Sequence, residues 1–275
     1  MRVAALQYAA TGIISENQQM MQNLIEEAAG QGATLICLPE CANLIAENRS
    51  ALHEKAEDTD QSSSLALLCQ MAKTHGVMIA VGSLMLKDKG ADKARNRGFF
   101  IGSNGSVLTA YDKIHMFDAD VGDGKTYRES HDFEKGHILA EAKTEAAHIG
   151  LSICYDLRFA GLYRALAQKG VEVMLVPAAF TATTGAAHWE VLLRARAIET
   201  GAFVIAAAQG GRHADNRQTW GHALIISPWG DILADAGPGD GTAKMAVADL
   251  NLDEVKRSRN AIRAWQTPSP FDPAR

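Results

Sequence analysis

Three residues with reactive side chains follow short apolar runs of the kind that form buried strands. Glu40 follows residues 34–38, Lys113 follows residues 107–111, and Cys154 ends another such run. Ligands of open α/β sheets bind beyond the carboxyl ends of the strands, so a site is expected at such positions. A thiol becomes a strong nucleophile when a base takes its proton, and a fixed cation stabilises the oxyanion of an attacked carbonyl. Together these three side chains could cleave an amide through a thioester.

Each of these residue types also has an ordinary structural explanation. A glutamate after a strand is commonly a loop residue or helix cap, and a lone lysine commonly lies on the surface. Buried cysteines behave as small hydrophobic residues, which is our interpretation of Cys37 and Cys69 on apolar faces. Cys154 differs because a predicted helix starts beside it, and the helix N-terminus with nearby Arg158 would stabilise a thiolate. Cys41, directly after the candidate base, is the alternative nucleophile.

Apolar runs and amphipathic segments alternate along the chain and predict the elements that position these residues. Ser15 and Gln18 form a capping-box pattern at the start of the first helix. The first half predicts a strand at 1–10, a helix to about residue 30, a strand at 34–38, a helix from 62–64 to 75, and three strands within 77–86 and 97–111. The second half predicts a strand at 148–154, a helix at 159–169, a strand at 171–176, a helix at 188–200, and strands at 202–208, 220–226 and 231–234.

The two halves repeat one order of elements. Residues 35–39 resemble residues 173–177, half the chain apart, and a proline closes both segments. Repeats of this kind indicate related structural units. We therefore predict an α/β fold with two related β-α-β-α-β-β halves in a single domain over residues 1–275, with an extended C-terminal tail at about 256–275.

Composition excludes several classes of function. The 275 residues are 47% hydrophobic and 21% charged, which is the range of globular proteins. Twenty-seven basic and 32 acidic residues give a net charge of −5, which argues against nucleic acid or an anionic membrane as partner. Four irregularly spaced cysteines fit a reducing compartment. The first ten residues predict a strand rather than a signal peptide, and no apolar run is long enough to span a membrane, so we expect a cytoplasmic protein.

Metal and cofactor motifs are not found in the sequence. Cys37 and Cys41 form a Cys-x-x-x-Cys pattern without the further ligands that structural zinc requires. Glycines within 237–241 form a turn cluster rather than a dinucleotide fingerprint. His115 and His222 are interpreted as structural or loop residues. We expect neither a metal nor a cofactor.

The ordered set Glu40, Lys113 and Cys154 resembles the nitrilase, or carbon-nitrogen hydrolase, superfamily. Tyr155 and Asp156 replace the Trp-Glu pair of true nitrilases, which argues against nitrile substrates. The residues after Lys113 and Cys154 are similar to those of the branch that contains deaminated glutathione amidase and ω-amidase. The matching motifs span most of the chain and are Leu38-Pro-Glu40, Tyr111-Asp-Lys-Ile-His-Met-Phe117, Ile153-Cys-Tyr-Asp-Leu-Arg-Phe159 and His188-Trp-Glu-Val-Leu-Leu-Arg-Ala-Arg-Ala-Ile-Glu199.

The resemblance implies an α-β-β-α sandwich and an amidase without a cofactor. Cys154 would be the nucleophile and Glu40 its general base. Lys113 and the backbone N–H of Tyr155 would stabilise the oxyanion. The resemblance also implies that Glu129, by its context a solvated carboxylate in the loop 121–130, positions the substrate and holds Lys113.

An acidic substrate requires a cationic partner in the pocket. Arg158 lies four residues after Cys154 and suits bidentate binding of a carboxylate, although a helix-surface arginine would fit the same spacing. By resemblance, Phe180 and Thr184 line that pocket.

The favoured function is hydrolysis of the terminal amide of a small carboxylate-bearing substrate, with deaminated glutathione preferred. The alternatives are ω-amidase activity on α-ketoglutaramate, hydrolysis of an N-carbamoyl group, acyl transfer to an amine, and a scaffold without catalysis. The resemblance further implies a homodimer or a higher homo-oligomer.

Overall fold

The computed structural model describes residues 1–122 and 124–266, which contain seventeen strands, seven α-helices and two 3₁₀ helices. The strands of the first half are β1 (Arg2–Tyr8), β2 (Leu35–Cys37), β3 (Glu57–Asp58), β4 (Met78–Lys87), β5 (Ala94–Ile101), β6 (Val107–Asp112), β7 (Asp118–Asp120), β8 (Thr126–Arg128) and β9 (Phe133–Glu134). Those of the second half are β10 (Ala140–Lys143), β11 (His148–Leu151), β12 (Val173–Leu175), β13 (Phe203–Ala206), β14 (Ala208–Gln209), β15 (Leu224–Ile226), β16 (Ile232–Asp235) and β17 (Lys244–Asp249). The helices are α1 (Ile14–Gly30), α2 (Arg49–Lys55), α3 (Ser63–His75), α4 (Glu129–Asp132), α5 (Ala160–Gln168), α6 (Ala182–Thr200), α7 (Asp253–Ala261) and the 3₁₀ helices Cys154–Arg158 and Arg263–Trp265.

Two mixed sheets contain the same five-strand unit. In the first, β1, β2 and β4 are parallel neighbours, and β5 and β6 continue the sheet antiparallel. In the second, β11, β12 and β13 are parallel, and β15 and β16 continue antiparallel. Helices α1 and α3 connect the parallel strands of the first unit, and α5 and α6 connect those of the second. The predicted repeat is confirmed, because β2 and β12 occupy equivalent central positions.

The two sheets pack face to face between two layers of helices. Val3 and Ala5 of β1 belong to the core shared with the second sheet, whereas Ala4 and Leu6 belong to the core beneath α1 and α3. Side chains alternate between the faces of a strand, so β1 serves both cores. Because both faces of the central strands are covered, their sequences are continuously apolar. The architecture is the α-β-β-α sandwich expected from the sequence.

The start of α1 differs from the predicted capping box. The helix begins at Ile14, so Ser15 lies inside its first turn and caps nothing. The Gln18 side chain instead donates to the hydroxyl of Ser63 at the start of α3. The capping-box prediction is wrong, because packing of the buried face sets the start of α1 and no side chain caps it. That face contains Met21, Leu24, Ile25 and Ala28, as the spacing predicted.

Helix α6 begins six residues earlier than the sequence indicated. Thr181 caps it, since its hydroxyl accepts a hydrogen bond from the backbone N–H of Thr184. A threonine cap satisfies one of the unpaired amides of a first turn.

None of the described helices has the length and apolar content needed to cross a lipid bilayer.

The C-terminal region is helical where an extended tail was expected. Residues 253–261 form α7, so the prediction is wrong for residues 256–261. Asp253 and Glu254 in the first turn favour this helix electrostatically. The Arg259 side chain donates to the carbonyls of Thr200 and Val171 and holds α7 against the second half. Residues 267–275 of the predicted tail lie outside the described residues.

A close backbone crossing fixes the segment that follows β2. A Cβ atom on Gly82 of β4 would lie 2.1 Å from the carbonyl oxygen of Leu38 and 2.3 Å from that of Pro39. Ser83 continues this contact, because its hydroxyl accepts a hydrogen bond from the backbone N–H of Cys41 at 2.9 Å. Only glycine at position 82 allows this close approach, which holds Glu40 in place between Pro39 and Cys41.

Candidate active site

Four of the predicted site residues meet where the two sheets adjoin. Glu40 follows β2 and Lys113 follows β6, whereas Cys154 begins the 3₁₀ helix after β11 and Glu129 begins α4. The Nζ atom of Lys113 lies 2.8 Å from Oε1 of Glu40 and 2.8 Å from Oε2 of Glu129. Lys113, Glu40 and Cys154 are buried, with exposures of 1%, 3% and 8%. An acid, an ammonium and a thiol therefore share one largely dry site.

Glu40 is held by donors on both of its oxygens. Oε1 accepts from Lys113 and from the Asn96 side chain at 2.9 Å, and Oε2 accepts from the backbone N–H of Ala179 at 2.9 Å. Cys154 is also buried and lines the same cavity as this carboxyl. Burial raises the pKa of Glu40, but the charge of Lys113 and these hydrogen bonds outweigh burial and leave the pKa below its usual value. Glu40 is therefore ionised and faces the thiol whose proton it would take.

Cys154 lies on a tight turn in a conformation that is unusual for a side-chain-bearing residue. Its φ is 49°, and its backbone N–H donates to the carbonyl of Pro177 at 2.9 Å. Burial and the charge of Glu40 raise the pKa of the thiol well above its usual value, and Lys113 offsets only part of this. The expectation that the helix terminus and Arg158 stabilise a thiolate is wrong, because burial and an adjacent carboxylate oppose it. The resting side chain is a neutral thiol.

Positive charge and a backbone amide adjoin the sulfur. Burial lowers the pKa of Lys113, but Glu129 and Glu40 outweigh it and raise the pKa, so the ammonium persists. The first hydrogen bond of the 3₁₀ turn runs from Asp156 N to the carbonyl of Ile153 at 3.1 Å. The N–H of Tyr155 lies ahead of this bond and takes no part in it, as expected for the first amides of a helix. Both groups suit a developing oxyanion.

Glu129 occupies the start of α4, not the loop that the sequence indicated. Its side chain is 13% exposed, and both of its oxygens accept from Lys113, at 2.9 and 2.8 Å. Oε2 also accepts from the backbone N–H of Phe117. Glu129 is thus a second carboxylate that holds the ammonium of Lys113.

Asn96 was missed by the sequence reasoning. It lies in β5, is 2% exposed, and its Nδ2 donates to Glu40 at 2.9 Å and to Glu129 at 3.1 Å. The amide therefore links both carboxylates that flank Lys113. The available signal was an asparagine inside a strand, where this residue type is depleted.

Asp156 was also missed, although it lies within a matching motif. Its carboxylate is fully buried and accepts from the hydroxyl of Tyr111 at 2.7 Å, from His115 N at 3.0 Å and from Ile153 N at 2.9 Å. The ring nitrogen Nδ1 of His115 lies 2.7 Å from the same side chain. Asp156 therefore connects the end of β6, which Lys113 follows directly, to the turn that carries Cys154. His115 is a structural residue, in keeping with its interpretation from the sequence.

The four predicted substrate-binding residues line one small cavity with Cys154. They are Tyr155, Arg158, Phe180 and Thr184, and the volume is about 20 Å³. This space holds about one or two water molecules. The Arg158 guanidinium lies 5.4 Å from the ring of Phe180 and 5.7 Å from that of Tyr155, and its nitrogens are 3.4 Å from Nδ1 of His188. These contacts are weak, so a ligand can displace the arginine.

A second cavity of about 560 Å³ also borders Cys154. This volume is typical of sites for small organic ligands. Glu40, Lys113 and Glu129 line it, and so does Cys41. Cys41 remains the alternative nucleophile by position, because it also follows Glu40 directly in the chain. The other charged residues in its wall are Arg49, Lys125, Arg128, Asp132, Asp215 and Arg217.

The family follows from comparison with known proteins. The sequence profile described as carbon-nitrogen hydrolase matches residues 2–260. This chain belongs to the carbon-nitrogen hydrolase family. A deaminated glutathione amidase of Synechocystis sp. is 42% identical over 271 residues, which cover 96% of each chain. One of Rattus norvegicus is 36% identical and covers 98% of this chain and 82% of its own. The chain is therefore a carbon-nitrogen hydrolase with amidase relatives.

A solved structure of the family shows the same fold. The C. elegans NitFhit protein superimposes with a TM-score of 0.88 at 32% identity and covers 97% of this chain. This carbon-nitrogen hydrolase spans 64% of that longer protein. Within the described residues of the present chain, no group of three or more His, Cys, Asp and Glu side chains is placed to hold a metal ion.

Proposed function

We propose that this carbon-nitrogen hydrolase cleaves an amide of a small carboxylate-bearing substrate through a thioester on Cys154, with deaminated glutathione as the favoured substrate. The observation that carries the proposal is that buried Cys154, Glu40 and Lys113 line one cavity, in which Glu40 is paired with Lys113 at 2.8 Å. The amidase relatives named after deaminated glutathione support the choice of substrate. The 560 Å³ cavity beside the thiol has room for a substrate of that size.

Acylation transfers one proton from sulfur to nitrogen. Glu40 takes the thiol proton as the sulfur attacks the carbonyl carbon, and the carbonyl oxygen becomes an oxyanion beside Lys113 and the N–H of Tyr155. Because the pKa of the thiol is raised and that of Glu40 is lowered, a separate thiolate is unfavourable. Proton transfer therefore accompanies formation of the carbon–sulfur bond. The C–N bond then breaks as Glu40 returns the proton to the leaving nitrogen.

Deacylation repeats these steps with water. Glu40 removes a proton from a water molecule that attacks the thioester, and the second oxyanion forms at the same place. The carbon–sulfur bond breaks, the sulfur regains a proton, and the carboxylic acid leaves. Glu129 and Asn96 keep Lys113 and Glu40 in position throughout.

Arg158 would bind the carboxylate of the acyl half, with Phe180 and Thr184 beside it. All three line the small cavity that Cys154 closes. A guanidinium binds a carboxylate with two parallel hydrogen bonds, which fixes the direction of the acyl chain. The Arg158 side chain has to swing outward on binding, because the unliganded space holds about one or two water molecules.

The first prediction tests the nucleophile. Cys154→Ala is expected to fold and to lose all hydrolysis, since it removes the proposed nucleophile from the cavity that Glu40 and Lys113 line. Activity should be followed as release of both ammonia and amine from a panel of carboxylate-bearing amides, with circular dichroism as the test of folding. Cys69→Ala is the matched control, because Cys69 lies in α3 away from the site, and it should retain activity. Full turnover by Cys154→Ala would refute the proposal.

The same panel separates the alternative functions. Ammonia release from α-ketoglutaramate alone would indicate an ω-amidase, and turnover of N-carbamoyl compounds a carbamoyl hydrolase. A new amide formed in the presence of added amine would indicate acyl transfer. Intact-mass detection of an acyl group on Cys154 would exclude the scaffold hypothesis.

We further propose a single cytoplasmic domain that assembles as a homodimer or larger homo-oligomer. Exposed apolar residues on α6 and beside it support self-association, since Val191 is 68%, Ile198 49% and Trp229 58% exposed. Light scattering during size-exclusion chromatography would measure the assembly. A monomer at micromolar concentration would contradict this part.

A further inference from the structure

Cys154 borders two cavities of very different size. The cavity of about 20 Å³ is lined by Arg158, and the cavity of about 560 Å³ is lined by Glu40. Cys154, Phe117 and Ala179 border both. An amide attacked by this sulfur therefore has two spaces available for its two halves.

The position of Glu40 decides which half lies where. The leaving nitrogen must accept its proton from Glu40, so it has to point to the side on which that carboxyl is exposed. Glu40 lines the large cavity and not the small one. The acyl half then points toward Arg158, and the leaving amine points into the large cavity.

The large cavity is far larger than ammonia requires. An ammonia molecule is about as large as water, which occupies about 30 Å³ in the liquid. A volume of about 560 Å³ instead accommodates a leaving group of many atoms. The size of the cavity therefore favours an amine with a substantial side chain or peptide over ammonia.

The wall of the large cavity is positive, although the whole chain has a net charge of −5. Lys113 is matched by its two glutamates, and Arg49 lies 2.7 Å from Asp132. Beyond these pairs, the charged residues that line the wall within the described part of the chain are Lys125, Arg128, Arg217 and Asp215. The wall of the cavity that would face a leaving group therefore has more cationic than anionic side chains.

Arg217 is the cation best placed to bind an anion there. Its Nε lies 3.5 Å from Oδ2 of Asp215 and is buried without a hydrogen-bond partner among the residues that the structure describes. The side chain is only 18% exposed. Burial lowers the pKa of Arg217, but Asp215, Cys41 and Glu40 outweigh it and raise the pKa. The guanidinium is therefore charged, largely buried and has an unsatisfied donor to offer.

The loop around Arg217 holds its backbone in place. Its N–H donates to Oδ1 of Asp215 at 2.9 Å, and its carbonyl accepts from His213 N at 3.0 Å. The Nζ atom of Lys125 donates to the Asp215 carbonyl at 2.7 Å, which brings a second positive charge to the loop. Arg217 and Lys125 therefore both lie next to Asp215.

We infer that Arg217 binds a carboxylate on the leaving amine, so the preferred substrate is an amide of an amino acid or short peptide with a carboxylate on each side of the cleaved bond. This inference rests on the proposed function and specifies its substrate. Deaminated glutathione fits, because glutathione ends in a glycine carboxylate on the amine side. Arg217 is a residue that determines specificity, and it takes no part in proton transfer.

The experiment compares three substrates with the same 2-oxo acyl half. They are deaminated glutathione, its C-terminal amide, and α-ketoglutaramate, whose leaving group is ammonia. Wild-type kcat/KM should fall roughly 10- to 100-fold when the terminal carboxylate becomes an amide, the range for a hydrogen bond to a charged group. In Arg217→Gln the carboxylate-to-amide ratio should approach one, and Arg217→Lys should restore part of it. Arg212→Gln is the control, since Arg212 is exposed and lies outside both cavities, and its ratio should match wild type.

The outcomes separate the inference from the proposed function. Turnover of none of the three substrates would refute the proposed function. Turnover with equal wild-type kcat/KM for the carboxylate and its amide would overturn the inference, and this comparison requires no variant. A carboxylate-to-amide ratio in Arg217→Gln that equals wild type would also overturn it, because the carboxylate would then bind elsewhere. Thermal unfolding of each variant verifies that it folds.

Discussion

In the unliganded site the proton lies on the sulfur of Cys154 and not on Glu40, and this determines how the individual residues react. Two carboxylates flank one ammonium, so a thiolate would add a third anion in a dry place. Coulombic repulsion of that size is not offset without an electrophile. The thiol is therefore protected from reagents that require a preformed thiolate until a carbonyl is bound.

This proton arrangement predicts the pH dependence of activity. The pKa of Glu40 is lowered below its usual 4.5, so the base stays ionised and kcat/KM should remain constant until the pH falls below about that value. The pKa of the thiol is raised above 9.0, so no loss is expected on the alkaline side up to that pH. The same ion pair contributes stability that is lost only as pH falls through the lowered pKa. Initial rates from pH 4 to 9 measure the profile, and an acid limb near 6 or 7 would contradict it.

Arg158 gives a prediction about substrate charge. Arg158→Gln should lower kcat/KM for amides with a carboxylate on the acyl half by roughly 10- to 100-fold, because a bidentate contact is lost. Neutral acyl amides should be affected little. Arg164→Gln on the neighbouring helix is the control for loss of one charge. Equal losses on acidic and neutral acyl halves would remove Arg158 from substrate recognition.

The residues of the site were predictable to different degrees. Glu40, Lys113 and Cys154 stand out because reactive side chains follow apolar strands in a known order. Asn96 and Asp156 do not, since their importance lies in several long-range hydrogen bonds that local sequence cannot show. The protonation state of the Cys154 thiol could not be predicted from the sequence either, because it depends on how deeply the site is buried.

The turn that carries Cys154, the 3₁₀ helix Cys154–Arg158, is held by the hydrogen bonds of Asp156 more than by a helix cap. Asp156→Asn replaces one of the two acceptor oxygens with an NH2 donor, which then faces the N–H of Ile153 and His115 or the hydroxyl of Tyr111. We expect a loss of about 3 kcal/mol in the free energy of unfolding, with reduced turnover as the turn loosens. Urea denaturation measures it. Tyr111→Phe removes one of these hydrogen bonds and should cost about half as much, and an unchanged midpoint in Asp156→Asn would show that the turn is held otherwise.

Elements with an apolar face were predicted, whereas those held by distant contacts were not. Helix α1 and strands β2 and β12 have the required periodicity or continuous apolar sequence. Strand β17 pairs with β1 along residues 2–7, but its own residues are only partly buried. Helix α7 is strongly polar and depends on Arg259 reaching the second half. Such elements acquire their structure from partners that are far away in sequence.

At the scale of the whole molecule, His213 links the Arg217 loop to the first sheet. Its Nδ1 lies 2.9 Å from the Ala10 carbonyl and its Nε2 lies 2.8 Å from the hydroxyl of Thr219. Burial lowers the pKa of His213 from 6.5 to about 4, so the folded protein holds the neutral ring. The unfolded chain binds the proton first as pH falls, and folding must then oppose that protonation.

This linkage predicts loss of stability in mild acid. The free energy of unfolding should fall by about 3 kcal/mol through this residue between pH 6.5 and 4, at about 1.4 kcal/mol per pH unit. Denaturation curves at several pH values measure the slope. His213→Gln should be less stable at pH 7 but should show a flatter slope across that window. An equal slope in both proteins would assign the acid sensitivity to other groups.

The division of the site between the two halves has a consequence for biosynthesis. Glu40 and Lys113 leave the ribosome before Cys154, and the Ala179 amide that fixes Glu40 follows later still. A growing polypeptide therefore has a base without a nucleophile and stays inert toward cellular amides until translation has passed the middle of the message. For the same reason, a fragment that ends before Cys154 is expected to have no hydrolytic activity.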